Sequence, residues 1–149
     1  NELEKQPQTQ AEKKGQISES LRLSEEEKNI RLVKGLVEKF MNGNAEGYIE
    51  GCHENFQGKI FSGLIPGGDN IRGKEGLVKM LETLPEYMEM VKFEPVNWAA
   101  VGNTVYFTVN WEFIWNETGK HVVTSANVRK VVKDGKIIEK YHIVNYGDI

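Results

Sequence analysis

The stretch VRKVVKDGKIIEKYHIVN, Val128 to Asn145, decides how this chain folds. Asp134-Gly135 is a tight-turn dipeptide, because both residues accept the positive φ that a two-residue hairpin loop requires. The residues on either side are rich in Val and Ile, which predicts two antiparallel strands, Lys120–Lys133 and Lys136–Tyr146. A two-residue loop there sets Asn127 opposite His142 and Val128 opposite Tyr141. Tyr141 and His142 are neighbours on one strand, so they point to opposite faces.

Upstream, Glu117-Thr118 and Gly102-Asn103 mark two more turns, giving strands Lys92–Val101 and Thr104–Asn116. The same pairing geometry puts Trp111 opposite Thr124 and Asn110 opposite Ser125. A short strand is expected from His53 to Phe61. The Gly-rich IPGGDNIRGKEG then leads into a helix over Lys74–Met88; it lacks G-K-[ST], so it is no phosphate cradle. Ser24-Glu25-Glu26-Glu27 is a capping box that would open a first helix, and Ile30, Val33, Leu36, Val37, Phe40 and Met41 give it one apolar face. Asn42-Gly43-Asn44 stops that helix before a short second one, Ala45–Cys52. Helices followed by a meander of long strands make an α+β order.

At 149 residues the chain is long enough for one domain with a single core. Charged residues are 28 % of it and the formal net charge is −3, so nothing draws it to nucleic acid or an anionic membrane. No apolar run reaches the roughly 18 residues of a membrane-spanning helix. The single Cys52 rules out an internal disulfide, and the three histidines with Glu112 lack metal-ligand spacing. Residues 1–23 are Glu-, Gln- and Lys-rich and read as a polar tether, disordered or frayed, ahead of a domain over 24–149. Such a lead-in fits export or a lipid-tethered place in a bacterial envelope, and equally a cytoplasmic protein.

The order of elements, with the marks NGNAEGYIEGC, IRGKEGLVKML and VRKVVKDGKIIEKYHIVN, resembles the nuclear-transport-factor-2-like superfamily and within it the SnoaL-like and ketosteroid-isomerase-like proteins. The resemblance covers about Glu25 to Asp148. It implies a cone-shaped curved antiparallel sheet behind about three N-terminal helices, a cystatin-like α+β roll. Alternation sorts the strands into an apolar face, with Phe107, Val109, Trp111, Phe113, Val128 and Tyr141, and a polar face, with Asn110, Glu112, Ser125, Asn127, Arg129 and His142. An apolar face would ordinarily cover the core. The resemblance implies the reverse: the polar face looks into the cone, and Trp111 and Phe113 lie on an outer surface where family members pair as homodimers.

On that basis His142 is the candidate acid/base, since an imidazole near neutrality both takes and gives a proton. Asn127 would hold the ring or donate to an oxyanion, and His53 is a possible second proton carrier. Ser125, Arg129, Glu112, Asn110, Tyr48 and Trp98 would contact the substrate; Glu112 and Arg129 could instead pair with each other. No cofactor and no metal is called for. The expected function is cofactor-free proton transfer on a small carbonyl-bearing or hydroxylated molecule, of isomerase, cyclase or dehydratase type. A non-catalytic ligand-binding module and a protein-interaction domain using the apolar sheet face are the alternatives. Two departures stand against direct transfer: Asn127 replaces the oxyanion-donating acid of ketosteroid isomerases, and Asn145 replaces an Asp common at the end of the last strand.

Overall fold

In the computed structural model, backbone is described for residues 10–61 and 63–144 and side chains for 24–61 and 63–144. Three helices and six strands follow in the order α1 (Gln10–Met41), α2 (Ala45–Glu50), β1 (Cys52–Lys59), β2 (Ile71–Arg72), α3 (Gly73–Tyr87), β3 (Met88–Val101), β4 (Thr104–Trp115), β5 (Lys120–Lys133) and β6 (Lys136–Val144). The strands form one sheet in the order β2-β1-β6-β5-β4-β3. Every pairing is antiparallel except β1 with β6, which is parallel.

Helix α1 does not begin at the Ser24 capping box but runs through it from Gln10. The preceding residues are mostly good helix formers, so nothing local stops the helix there. Residues 1–9 of the expected tether lie outside the described residues. Glu26, the third residue of that box, instead accepts a hydrogen bond from the Gly102 amide at 3.0 Å, and Asn29 donates to the Gly102 carbonyl at 3.3 Å. These two contacts pin α1 to the β3–β4 turn. Asn44 caps α2 by accepting from the Gly47 amide at 2.9 Å. The two-residue β2 was not expected, since a pair of residues carries no periodicity to detect.

The apolar face of the sheet is the core. Val105, Phe107, Val109, Trp111 and Phe113 of β4 are all buried, as are Val122, Ala126, Val128 and Val132 of β5. They pack with Val33, Leu36, Val37, Leu77, Met80 and Leu84 of the helices in one cluster. The inverted assignment of faces is therefore overturned. Ordinary alternation wins because burying each Phe, Val or Trp contributes about 1.5–3 kcal/mol, and only the helix-covered side offers that burial.

The β4–β5 register is the one read from the turn: Trp111 faces Thr124 and Asn110 faces Ser125. The β5–β6 register is not. It starts as expected at Lys133 with Lys136 and Val132 with Ile137, then slips by one so that Val131 faces Glu139. Ile138 is the extra residue of a β-bulge, and beyond it every side chain sits on the face opposite to that of simple alternation. Val128 thus faces His142, and Asn127 faces Ile143.

Candidate functional site

His142 reaches the interior because two inversions cancel. The polar face is outside rather than inside, and the bulge moves His142 off that face onto the inner one. Its ring is 8 % exposed and stands edge-on to Phe61, with centroids 5.2 Å apart. Phe61 in turn lies 5.0 Å from the Trp111 ring. Neither nitrogen of His142 has a hydrogen-bond partner among the described residues. Burial, helped by the charges of Lys140 and Lys130, holds its pKa well below the ordinary histidine value, so the ring is neutral at pH 7.

The same inner side holds two lysines that face each other across β5 and β6, Lys130 and Lys140. Lys130 is 1 % exposed, and its Nζ donates to the Tyr48 hydroxyl at 3.1 Å. Lys140 is half-buried, with Nζ 5.5 Å from the centroid of the Tyr48 ring. Cys52, fully buried, donates from Sγ to the Tyr48 carbonyl at 3.5 Å. No carboxylate pairs with either lysine among the described residues. Burial pushes Lys130 well down, with the Lys140 charge adding to it, and lowers Lys140 to about 8. Burial also raises Tyr48 and Cys52, so phenol and thiol keep their protons at neutral pH. Five ionisable groups from α2, β1, β5 and β6 thus form an electropositive, poorly hydrated cluster under the helices.

Of the residues expected from sequence, only His142 and Tyr48 are in this cluster. Asn127, Asn110 and Arg129 are exposed on the outer face, and Ser125 and Glu112 are half-buried there. Asn127 accepts from Thr108 Oγ1 at 3.1 Å, and Asn110 donates to Glu94 at 3.1 Å. The Glu112–Arg129 pair does not form: Glu112 lies 3.6 Å from His121, and Arg129 stacks 4.6 Å from the Tyr141 ring centroid. His53 sits at the other end of β6, with Nε2 4.0 Å from Asp134 at the β5–β6 turn. Trp98 stacks on Phe107 at 4.2 Å and is half-buried at the sheet margin.

Lys130, Lys140 and Cys52 were missed as site residues. Lys130 had a signal, a charged residue between Val128 and Val132 on an otherwise apolar stripe. Two surface hollows are bordered mostly by residues outside the cluster. One of about 500 Å³ lies between α2 and α3, but its ionisable lining is Glu46, Glu50 and Glu82 alone. The other, about 390 Å³, is bordered on the outer face by Tyr106, Asn127, Arg129, Tyr141 and Ile143, with Val128 and His142 also at its edge. These hollows leave out Tyr48, Cys52, Lys130 and Lys140 and touch the cluster only at His142, so the chemistry of the side chains is the better guide. No group of three or more metal-ligating side chains occurs among the described residues.

The arrangement is an α+β fold of the nuclear-transport-factor-2-like type, with three helices and a six-stranded, mostly antiparallel sheet whose apolar face they cover. Residues 33–140 match the SnoaL-like domain, and the chain belongs to that family. Among solved structures it is similar to a nuclear-transport-factor-2-like protein from Burkholderia xenovorans, with 19 % identity and TM-score 0.73 over 83 % of this chain and 93 % of the other. An epoxide hydrolase of the LEH-like type from M. tuberculosis aligns at 16 % identity and TM-score 0.67, over 83 % and 87 %. A proposed SnoaL-like polyketide cyclase from Mesorhizobium loti aligns at 18 % identity and TM-score 0.65, over 76 % and 96 %. The sequence has no match among curated proteins. No helix of the described residues is long and apolar enough to cross a membrane.

Proposed function

We propose that this chain is a small-molecule enzyme of isomerase, cyclase or dehydratase type, moving a proton without a cofactor at the inner cluster. The observation that carries this reading is the His142 ring, buried with both nitrogens unpaired. Leaving a buried polar group unmet costs about 1–3 kcal/mol, which a bound polar ligand would offset. A neutral imidazole accepts a proton at one nitrogen and gives one from the other, but burial and the Lys140 and Lys130 charges make His142 a weaker base than the near-neutral imidazole expected from sequence. Tyr48, Lys130 and Lys140 supply the donors and positive potential that an enolate-like oxygen needs as charge develops. A carbonyl-bearing substrate fits both requirements.

The test is a turnover screen on small enones, β-keto esters and hydroxylated cyclic ketones, followed by His142→Gln on whichever is converted. Loss of about 10²–10⁴ in turnover with ligand affinity kept is the expected result; unchanged turnover removes His142 from the chemistry. The second reading is a binding module that uses the outer hollow, where Asn127, Arg129 and Tyr106 offer donors beside an aromatic wall. Homodimer formation belongs to that same outer face, on Tyr106, Val123 and Ile143, which are 42 %, 59 % and 70 % exposed, and not on Trp111 or Phe113.

A further inference from the structure

A lysine placed directly across from another lysine inside a sheet is an unfavourable arrangement. Like charges in facing positions repel, and each buried ammonium costs several kcal/mol unless paired. Here neither has a carboxylate among the described residues, and the partner provided for Lys130 is a phenol. Such surroundings favour the neutral amine, which is a nucleophile where the ammonium is not. Lys130 is sealed behind Tyr48 and Phe107, whereas Lys140 keeps partial access to solvent from the same cluster.

We propose that Lys140 is a carbonyl-capturing amine, its Nζ condensing with an aldehyde or small ketone in the cluster formed by Tyr48, Cys52, Lys130 and His142. This rests on the inner cluster being where a carbonyl-bearing molecule is handled, and it gives that α-proton chemistry a covalent route. The Nζ lone pair adds to the carbonyl carbon, forming the C–N bond. The carbonyl oxygen takes one proton from nitrogen and one from solvent, and leaves as water. The resulting iminium acidifies the neighbouring C–H, and His142, two residues along on the same face, takes that proton to give an enamine. No oxidant or reductant is involved. The groups facing Lys140 are Tyr48 from α2, Cys52 from β1, Lys130 from β5 and His142 on β6. With its pKa at about 8 rather than 10.5, Lys140 has on the order of 10² more neutral amine at pH 7 than a surface lysine.

The experiment treats the wild-type chain with pentane-2,4-dione, which traps an amine as an enaminone with loss of water, and maps the modified peptides by mass. Lys140 should be modified at least about tenfold faster at pH 7.5 than exposed Lys92 and Lys133, allowing for the lower nucleophilicity of a less basic amine. Its rate should rise with a midpoint near pH 8. Modification of Lys140 no faster than the surface lysines, or of Lys130 ahead of it, overturns the proposal. The outcome is separable from the proton-transfer reading. Turnover that depends on His142 without any Lys140 adduct sinks the amine alone, and an adduct with His142-independent chemistry sinks the proton carrier alone.

Discussion

The two hairpins that share β5 behave differently. On the β4 side the register holds from Thr104–Val131 to Trp115–Lys120 without a slip. On the β6 side it holds for two pairs and then shifts at Ile138. Both turns were recognisable, so turn chemistry was not what separated them. The sense of the neighbouring strand does not separate them either: β6 takes β1 in parallel, but the purely antiparallel β3–β4 pair also slips, between Met90 and Lys92 and between Val96 and Ala99. The lesson is that turn type sets the first pairs of a strand, and a bulge further along resets the faces of the rest.

The largest expected effect concerns the face that β4 presents to the helices. Phe113→Glu should unfold the protein, since a buried unpaired charge adds several kcal/mol to the loss of a buried ring. Val123→Glu on the outer face of β5 should stay within about 0.5 kcal/mol. Equilibrium denaturation of both variants checks this, and a folded, soluble Phe113→Glu chain would restore the inverted-face assignment.

Next comes the pH dependence of the β6 side. Lys140 is held at about 8 in the fold against 10.5 when free, so between these values the unfolded chain binds more protons than the folded one. Stability should accordingly rise with pH from about 8 to 10.5. His142 acts in the same sense lower down: its depressed pKa means stability falls as pH drops below about 6.5. Lys140→Met should flatten the alkaline rise in a urea-midpoint series. In NMR it should move the His142 titration upward by removing a nearby charge, and Asn127→Ala should leave that titration in place.

Deleting Ile138 sharpens the comparison further. With a bulge at that position, the deletion makes β6 regular and leaves Lys140, His142 and Val144 facing inward, at a cost of about 1–2 kcal/mol. In an unbulged strand the same deletion would reverse every side chain from Glu139 onward. Without a bulge His142 would face outward in the intact chain and inward after the deletion, so a His142 titration that drops on deletion disproves the bulge and an unchanged one supports it. A small loss is expected for Arg129→Ala, which removes the stacking on Tyr141 at the surface and should cost about 0.5–1 kcal/mol by thermal melting.

Much of the fold was legible because several signals agreed. The α+β order, the third helix and the long strands followed from turn dipeptides and periodicity acting together. The bulge was not legible, because Ile137-Ile138 is apolar at two successive positions and so carries no parity. The start of α1 was misplaced because a capping box is a local motif that a longer helix can absorb. As for the site, His142 reached the inner side through compensating errors, and Asn127 lost its partner to one of them. The lysine pair was legible in principle from Lys130 on its valine stripe. Its meaning needed the facing residue, which only the shifted register supplies.

The parallel seam between β1 and β6 joins positions far apart in the chain, as in the contact from Gln57 to Glu139, 82 residues on. During synthesis β1 therefore waits, with one edge open, until nearly all of the remaining domain has emerged. Contacts of such long range are slow to form, and the order of completion is imposed by the ribosome. The β3–β4–β5 meander has neighbouring partners and can assemble first, so the seam is the step at which a nascent chain is most exposed to pairing with another copy. A translational pause before β6 would lengthen that exposure.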